Sequence, residues 1–165
     1  MLTIEQINSI TSQQFVDILG EIFEHSPWIA EKTAQTRPYT TLNDLYTEMV
    51  STVEVSSTEE KLTLIKAHPN LGERIEMSHD SILEQSSAGL KDLSTEEYTQ
   101  FITMNQKYTD KFGFPFILAV RGKNKQQIYQ AMEARINNLK EIEFQTALQE
   151  IYKIALLRLK EKILD

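Results

Sequence analysis

Ser94-Thr95-Glu96-Glu97-Tyr98-Thr99-Gln100-Phe101-Ile102-Thr103-Met104-Asn105-Gln106-Lys107-Tyr108-Thr109-Asp110-Lys111-Phe112-Gly113 reads as one uninterrupted helix. Ser94 and Glu97 have the spacing of a capping box, in which each side chain bonds the other residue's backbone N–H. Phe101, Ile102, Asn105, Tyr108 and Phe112 recur at helical spacing and predict a buried stripe. Gly113 supplies the left-handed residue on which such a helix stops. The stripe needs apolar partners, and the rest of the chain offers mostly further helices to provide them.

On the C-terminal side, Phe114-Pro115-Phe116-Ile117-Leu118-Ala119-Val120 is a continuous apolar run interrupted by a proline. It predicts buried extended backbone, because proline blocks a helix interior. Ile128, Met132, Ile136 and Leu139 then mark a helix from about Lys125. Phe144, Ala147, Leu148, Ile151, Ala155 and Leu159 mark a last one. On the N-terminal side, Phe15, Ile18, Leu19, Ile22 and Phe23 follow Ser12 as cap, and Ser26-Pro27 signals a second start. Thr41 caps a helix carrying Leu42, Leu45, Met49 and Val50. Thr58 caps another with Leu62 and Ile65 inward, which must stop near His68 because Pro69 disfavours helical geometry before it. Asp80-Ser81 opens a short helix through Glu84 to Ala88, closed by Gly89. The expected architecture is all-α: residues 1–165 as a single compact domain of about eight helices with one buried extended segment.

The 165 residues are 41% hydrophobic and 25% charged, within the globular range. A net charge of -7 repels phosphate backbones, which argues against a nucleic-acid partner. With no cysteine, disulfides, thiolate nucleophiles and thiolate zinc sites are excluded. No stretch approaches the roughly 20 apolar residues of a membrane span, so no membrane partner is expected. The segment Met1–Gln6 lacks the basic and apolar regions of a signal peptide, and Lys162-Ile163-Leu164-Asp165 is not a peroxisomal ending, so a cytoplasmic protein is expected.

Of the three histidines, His68 sits where a helix breaks at Pro69. It reads equally as a capping histidine or as a proton carrier facing a cleft. Glu84 and Gln85, between Leu83 and Ala88, read as a solvated helix face or as a carboxylate and amide gripping an N–H-rich ligand. Glu76 and His79 form one Glu-x-x-His pair, whereas di-metal carboxylate bundles need two such pairs and two more glutamates, so no metal site is expected. His25 reads as a helix-junction residue. Asn105 and Tyr108 read as buried hydrogen-bonding groups, and Arg121 as a surface arginine or as a guanidinium for a carboxylate ligand.

Several segments, in order, resemble one family. They are Phe23-Glu24-His25-Ser26-Pro27-Trp28, Ala67-His68-Pro69-Asn70-Leu71, and Ser81-x-x-Glu84-Gln85-x-x-Ala88-Gly89-Leu90. Asn105-x-x-Tyr108, Lys111-Phe112-Gly113-Phe114-Pro115-Phe116-Ile117 and Ala119-Val120-Arg121-Gly122 follow. Glu143-x-x-x-Ala147-Leu148 and Ile154-Ala155-x-x-Arg158-Leu159 complete the series. Together they are similar to 2-oxo-4-hydroxy-4-carboxy-5-ureidoimidazoline (OHCU) decarboxylase. The resemblance implies a helical fold, no cofactor, a homodimer and a small ureidoimidazoline substrate that is decarboxylated to (S)-allantoin, the last step from urate.

By matching positions, the resemblance implies His68 and Glu84 as the catalytic pair, His68 as acid/base and Glu84 binding the ureido and ring N–H groups. Pro69, Ser81, Ile82, Leu83 and Gln85 would contact substrate. Phe116, Ile117, Leu118, Ala119 and Val120 would line the other side through free backbone groups, with Arg121 nearby. The chain departs from the family at Asn70, where aspartate is common. It also departs in a shortened stretch from His68 to Ser81 that includes Gly72-Glu73-Arg74.

Overall fold

The computed structural model describes residues 1–73 and 77–165, and these divide into two compact units. The first comprises Met1–Ala67 with Tyr152–Asp165; the second is His68–Ile151. The second holds every residue expected at the site.

Four of the five helix starts in the first unit follow one rule. Helices α1 (Ile4–Ser9), α2 (Ser12–Leu19), α4 (Leu42–Glu54) and α5 (Thr58–Lys66) each open on a capping box. The caps are Thr3, Thr11, Thr41 and Ser57, paired with Gln6, Gln14, Asp44 and Glu60. This corrects two expected caps. Ser12 and Thr58 are first helical residues, because only Thr11 and Ser57 have a side-chain acceptor three residues ahead; Ser12 and Thr58 face Phe15 and Lys61. In α3 (Trp28–Ala34), Pro27 occupies the cap with no side-chain bond. Ile22 and Phe23 are buried but lie beyond α2, which ends at Gly20. On α5 the inward residues are Leu64 and Ile65, while Leu62 is half-buried.

The first unit packs α3 against α2 and α4. It also contains a parallel pair, β1 (Leu2–Thr3) and β2 (Ile163–Leu164), registered Leu2 to Ile163 and Thr3 to Leu164. Two-residue strands are too short to show alternation, so neither they nor the six-residue α1 was expected.

The second unit contains α6 (His79–Ser87), α7 (Thr95–Phe112), α8 (Lys125–Arg135) and α9 (Lys140–Lys162) as far as Ile151. Helix α7 has the expected Ser94–Glu97 capping box and Gly113 at φ 79°, and buries Phe101, Asn105, Tyr108 and Phe112 of the expected stripe; Met104 is buried where Ile102 was expected, and Ile102 is half-buried. From Pro115 to Val120 the chain is neither helix nor strand, with Phe114, Phe116, Ile117, Leu118 and Val120 buried and Pro115 and Ala119 half-buried. The Tyr108 ring contacts those of Phe112, Phe114 and Phe116, so α7 and the extended segment share one aromatic core. Leu139 is exposed, since α8 ends at Arg135 and the chain has turned before α9. Nine helices thus lie among the described residues, one more than expected, and none is long and apolar enough to cross a membrane.

Candidate functional site

His68 follows directly on the C-terminal cap of α5, Ala67, and is buried. The break expected from Pro69 is present. The next residues turn inward: Pro69 and Asn70 are half-buried, Leu71 and Gly72 buried. Gly72 has φ 81°, and a Cβ there would lie 3.1 Å from Leu93 Cδ1 and 3.3 Å from Phe101 Cδ1. The turn is therefore packed against Leu93 and the Phe101 ring of α7.

Two side-chain amides grip this turn. Asn105 Nδ2, on α7, donates to the Leu71 carbonyl at 2.9 Å. The Gly72 N–H donates to Gln85 Oε1, on α6, at 3.0 Å. Both bonds fall on the same Leu71–Gly72 peptide group. Asn70 is tied to the turn as well, its Nδ2 donating to Glu73 Oε1 at 3.0 Å.

Helix α6 starts on Ser78, whose Oγ accepts from the Ser81 N–H. Ser81 and Gln85, four residues apart, form its buried face. Ile82 and Glu84 are half-buried flanks. Leu83 lies about 200° around the helix from Ser81 and is 52% exposed. Gln85 Nε2 faces Met77 Sδ at 3.6 Å, a weak acceptor. A cavity of about 370 Å³ opens beside it, lined by Gly72, Glu73, Met77, Ile82, Gln85, Leu90 and Lys91, within the usual size range of small-molecule sites.

The extended segment is held by two charged side chains that the sequence did not single out. Arg135 Nη1 donates to the Ile117 carbonyl at 2.5 Å, and the guanidinium lies 4.3 Å from the Phe116 ring centroid. Glu150 Oε1 accepts from the Ala119 N–H at 3.3 Å. These two bonds correct the expectation that the backbone here is wholly free for a ligand: the Ile117 carbonyl keeps one lone pair, and the Ala119 N–H is taken. Arg121, which ends the segment, is exposed.

Arg135 is itself fixed by fully buried Glu143, with Nη2 2.8 Å and Nε 3.0 Å from Oε2. The same carboxylate accepts from Tyr108 Oη at 2.5 Å and Asn138 Nδ2 at 2.9 Å. Burial pushes the Glu143 carboxyl up, but the bonds from Arg135, Tyr108 and Asn138 outweigh it and hold it below the ordinary 4.5. Burial and the same carboxylate push the Tyr108 hydroxyl far up, so it remains a donor. Glu143 stands in a motif quoted above; Arg135, at the end of α8, has nothing in its local sequence to separate it from a surface arginine.

Glu76 lies outside the described residues, as does Arg74 of the shortened stretch; His79 is exposed. A different trio, Glu21, Glu24 and His25, places ligand atoms within 4.8 Å of one another. Glu24 Oε2 there is already bound by buried Arg158 at 3.0 Å, so an internal cation balances its charge. The His25 N–H donates to Glu21 Oε2 at 3.2 Å and its φ is 46°, consistent with the expected junction role.

The family model of OHCU decarboxylase matches residues 8–160. A decarboxylase of that name from Haloferax volcanii is 45% identical over 161 residues, covering 98% of this chain and 96% of its own. The uric acid degradation bifunctional protein PucL of Bacillus subtilis is 49% identical over all of this chain, which spans 33% of that protein's length. The crystal structure of (S)-allantoin synthase superposes with a TM-score of 0.82 at 33% identity, covering 99% of this chain and 54% of its own.

Proposed function

The chain belongs to the OHCU decarboxylase family, and from that premise we propose that it decarboxylates 2-oxo-4-hydroxy-4-carboxy-5-ureidoimidazoline to (S)-allantoin. The observation that carries the proposal is the buried His68 on a turn clamped to both α6 and α7, the first of which carries Ser81, Glu84 and Gln85. The match runs through both units, which supports reading residues 1–165 as one decarboxylase domain.

The reaction needs an electron sink and a proton, and the substrate contains the sink. The bond between the carboxylate and the hydroxyl-bearing ring carbon breaks, and carbon dioxide leaves. The electron pair moves into the adjacent carbon–nitrogen double bond, whose nitrogen takes a proton. The resulting enol collapses to the amide carbonyl of the ring: the hydroxyl gives up its proton, and the carbon bearing the ureido group takes one. Net, one proton is consumed.

His68 is the acid/base for that proton traffic. Its imidazole can both take the hydroxyl proton and deliver one to a single face of the ring. Glu84 accepts from the ureido and ring N–H groups in a bidentate grip. Ser81, Ile82 and Pro69 supply further substrate contacts beside it. The remaining lone pair of the Ile117 carbonyl, with the Phe116, Leu118 and Val120 backbone, lines the far side, and buried apolar side chains there exclude water. Arg121 stands at the end of this segment to meet the substrate carboxylate.

We infer as well that the protein is a cytoplasmic homodimer. Light scattering giving a monomer mass would remove the dimer.

The test is stereochemical. Urate is fed with urate oxidase and hydroxyisourate hydrolase, and the optical activity of the allantoin is followed. Rapid formation of one enantiomer is expected. Slow racemic product, as from uncatalysed decay, would refute the activity and leave a ureide-binding module.

A further inference from the structure

The Leu71–Gly72 peptide is bonded through both of its polar groups to side chains of two different helices. Asn105 Nδ2 holds its carbonyl at 2.9 Å and Gln85 Oε1 holds its N–H at 3.0 Å. Asn105 is 1% exposed and Gln85 5%, so water does not compete for either bond. The polarity of the peptide also assigns both amides. Turning Asn105 over would set Oδ1 against a carbonyl oxygen, and turning Gln85 over would set NH2 against an N–H.

Asn105 does nothing else visible in this unit. Its Oδ1 is buried without a hydrogen-bond partner. A leucine of similar volume would pack at this place on α7 without that cost. Among the described residues, the amide's one hydrogen bond is to the Leu71 carbonyl.

The clamped peptide is three residues beyond His68, and Pro69 between them has a fixed φ. Little backbone freedom separates the clamp from the imidazole. Resting on the decarboxylase reading, we propose that Asn105 and Gln85 are positioning residues for His68: together they set the plane of the Leu71–Gly72 peptide and so aim the imidazole at the substrate. Beyond that bond, Gln85 keeps its Nε2 donors and the second lone pair of Oε1 for a ligand.

The decisive variant is Asn105→Leu, studied as the full-length protein. It removes the donor and keeps the volume. Turnover should fall about tenfold or more, with KM within twofold of wild type and calorimetric affinity for (S)-allantoin unchanged, because Asn105 touches no ligand. In wild type, the Gly72 amide should exchange with deuterium as slowly as the central amides of α7, and in Asn105→Leu at least tenfold faster. The proposal is overturned if a folded variant turns over within twofold of wild type, or loses ligand affinity in step with turnover. It is equally overturned if the wild-type Gly72 amide exchanges as fast as an exposed loop amide. Should Asn105→Leu not fold, Asn105→Ala is read by the same criteria, and the wild-type exchange measurement stands by itself. Exchange needs no substrate. Failure of the clamp is therefore distinguishable from failure of the activity, which the stereochemical assay reads separately.

Discussion

Replacing Arg135 by methionine tests the support of the extended segment at its strongest point. The substitution removes three contacts at once: the paired bonds to Glu143, the bond to the Ile117 carbonyl and the stacking on Phe116. Methionine keeps much of the stem's apolar volume, so packing loss is small. What remains is a carboxylate with no exposed surface that has lost its only guanidinium among the described residues. Breaking a buried pair by deleting one partner costs about 3–5 kcal/mol. The 12% exposure of Arg135 and the bonds from Tyr108 and Asn138 put the expectation at the lower end. For a chain of this length, about 3 kcal/mol corresponds to roughly 6–12 °C in Tm. Thermal denaturation followed by circular dichroism measures it. Adding Glu143→Gln, which neutralises the stranded charge and keeps an acceptor for Tyr108, should recover more than half of the loss. A single variant melting within about 2 °C of wild type, or a double variant no more stable than the single, would refute the reasoning.

The same carboxylate predicts a pH dependence. Because the Glu143 carboxyl is held below 4.5, it binds protons less readily folded than unfolded. Its contribution is thus complete above the unfolded value and is lost as pH falls through the lower folded one. Urea midpoints of wild type and Glu143→Gln should differ most at neutral pH and converge below about pH 4; a gap constant across that range would discount the carboxylate. His68→Asn should fold normally and lose most turnover, with near-normal decarboxylation by the folded variant removing His68 from the chemistry. Glu84→Ala should abolish (S)-allantoin binding in calorimetry; unchanged affinity would make the carboxylate structural. Gly72→Ala forces a Cβ to φ 81° and 3.1 Å from Leu93 Cδ1. It should lower stability by about 1–2 kcal/mol, read from urea melts, and lower turnover as the turn shifts.

Much of the helical plan was legible because its causes are local. Capping boxes, the stripe on α7, the stop at Gly113 and the break at Pro69 depend on residues within a turn or two of each other. The misplaced caps at Ser12 and Thr58 were legible too, once the acceptor three residues ahead is required. His68, Ser81 and Gln85 were named from the chain and are buried in the structure. Glu84 is only half-buried and Leu83 faces outward.

The chain alone determined every helix but α1, that the helical pattern breaks over residues 114–120 with most of their side chains buried, and which family's motifs it carries, because these rest on backbone sterics, short-range periodicity and residue identity. It did not determine who satisfies the buried polar groups. Glu143 and Arg135 are eight residues apart across a turn, Asn105 reaches back 34 residues to Leu71, and Glu150 reaches back 31 to Ala119. Each of these bonds exists because packing removed water from both partners and left one geometry in which neither group is stranded. The tertiary structure alone decided that Gln85, read from the sequence as a hand for substrate, also holds the turn that carries His68.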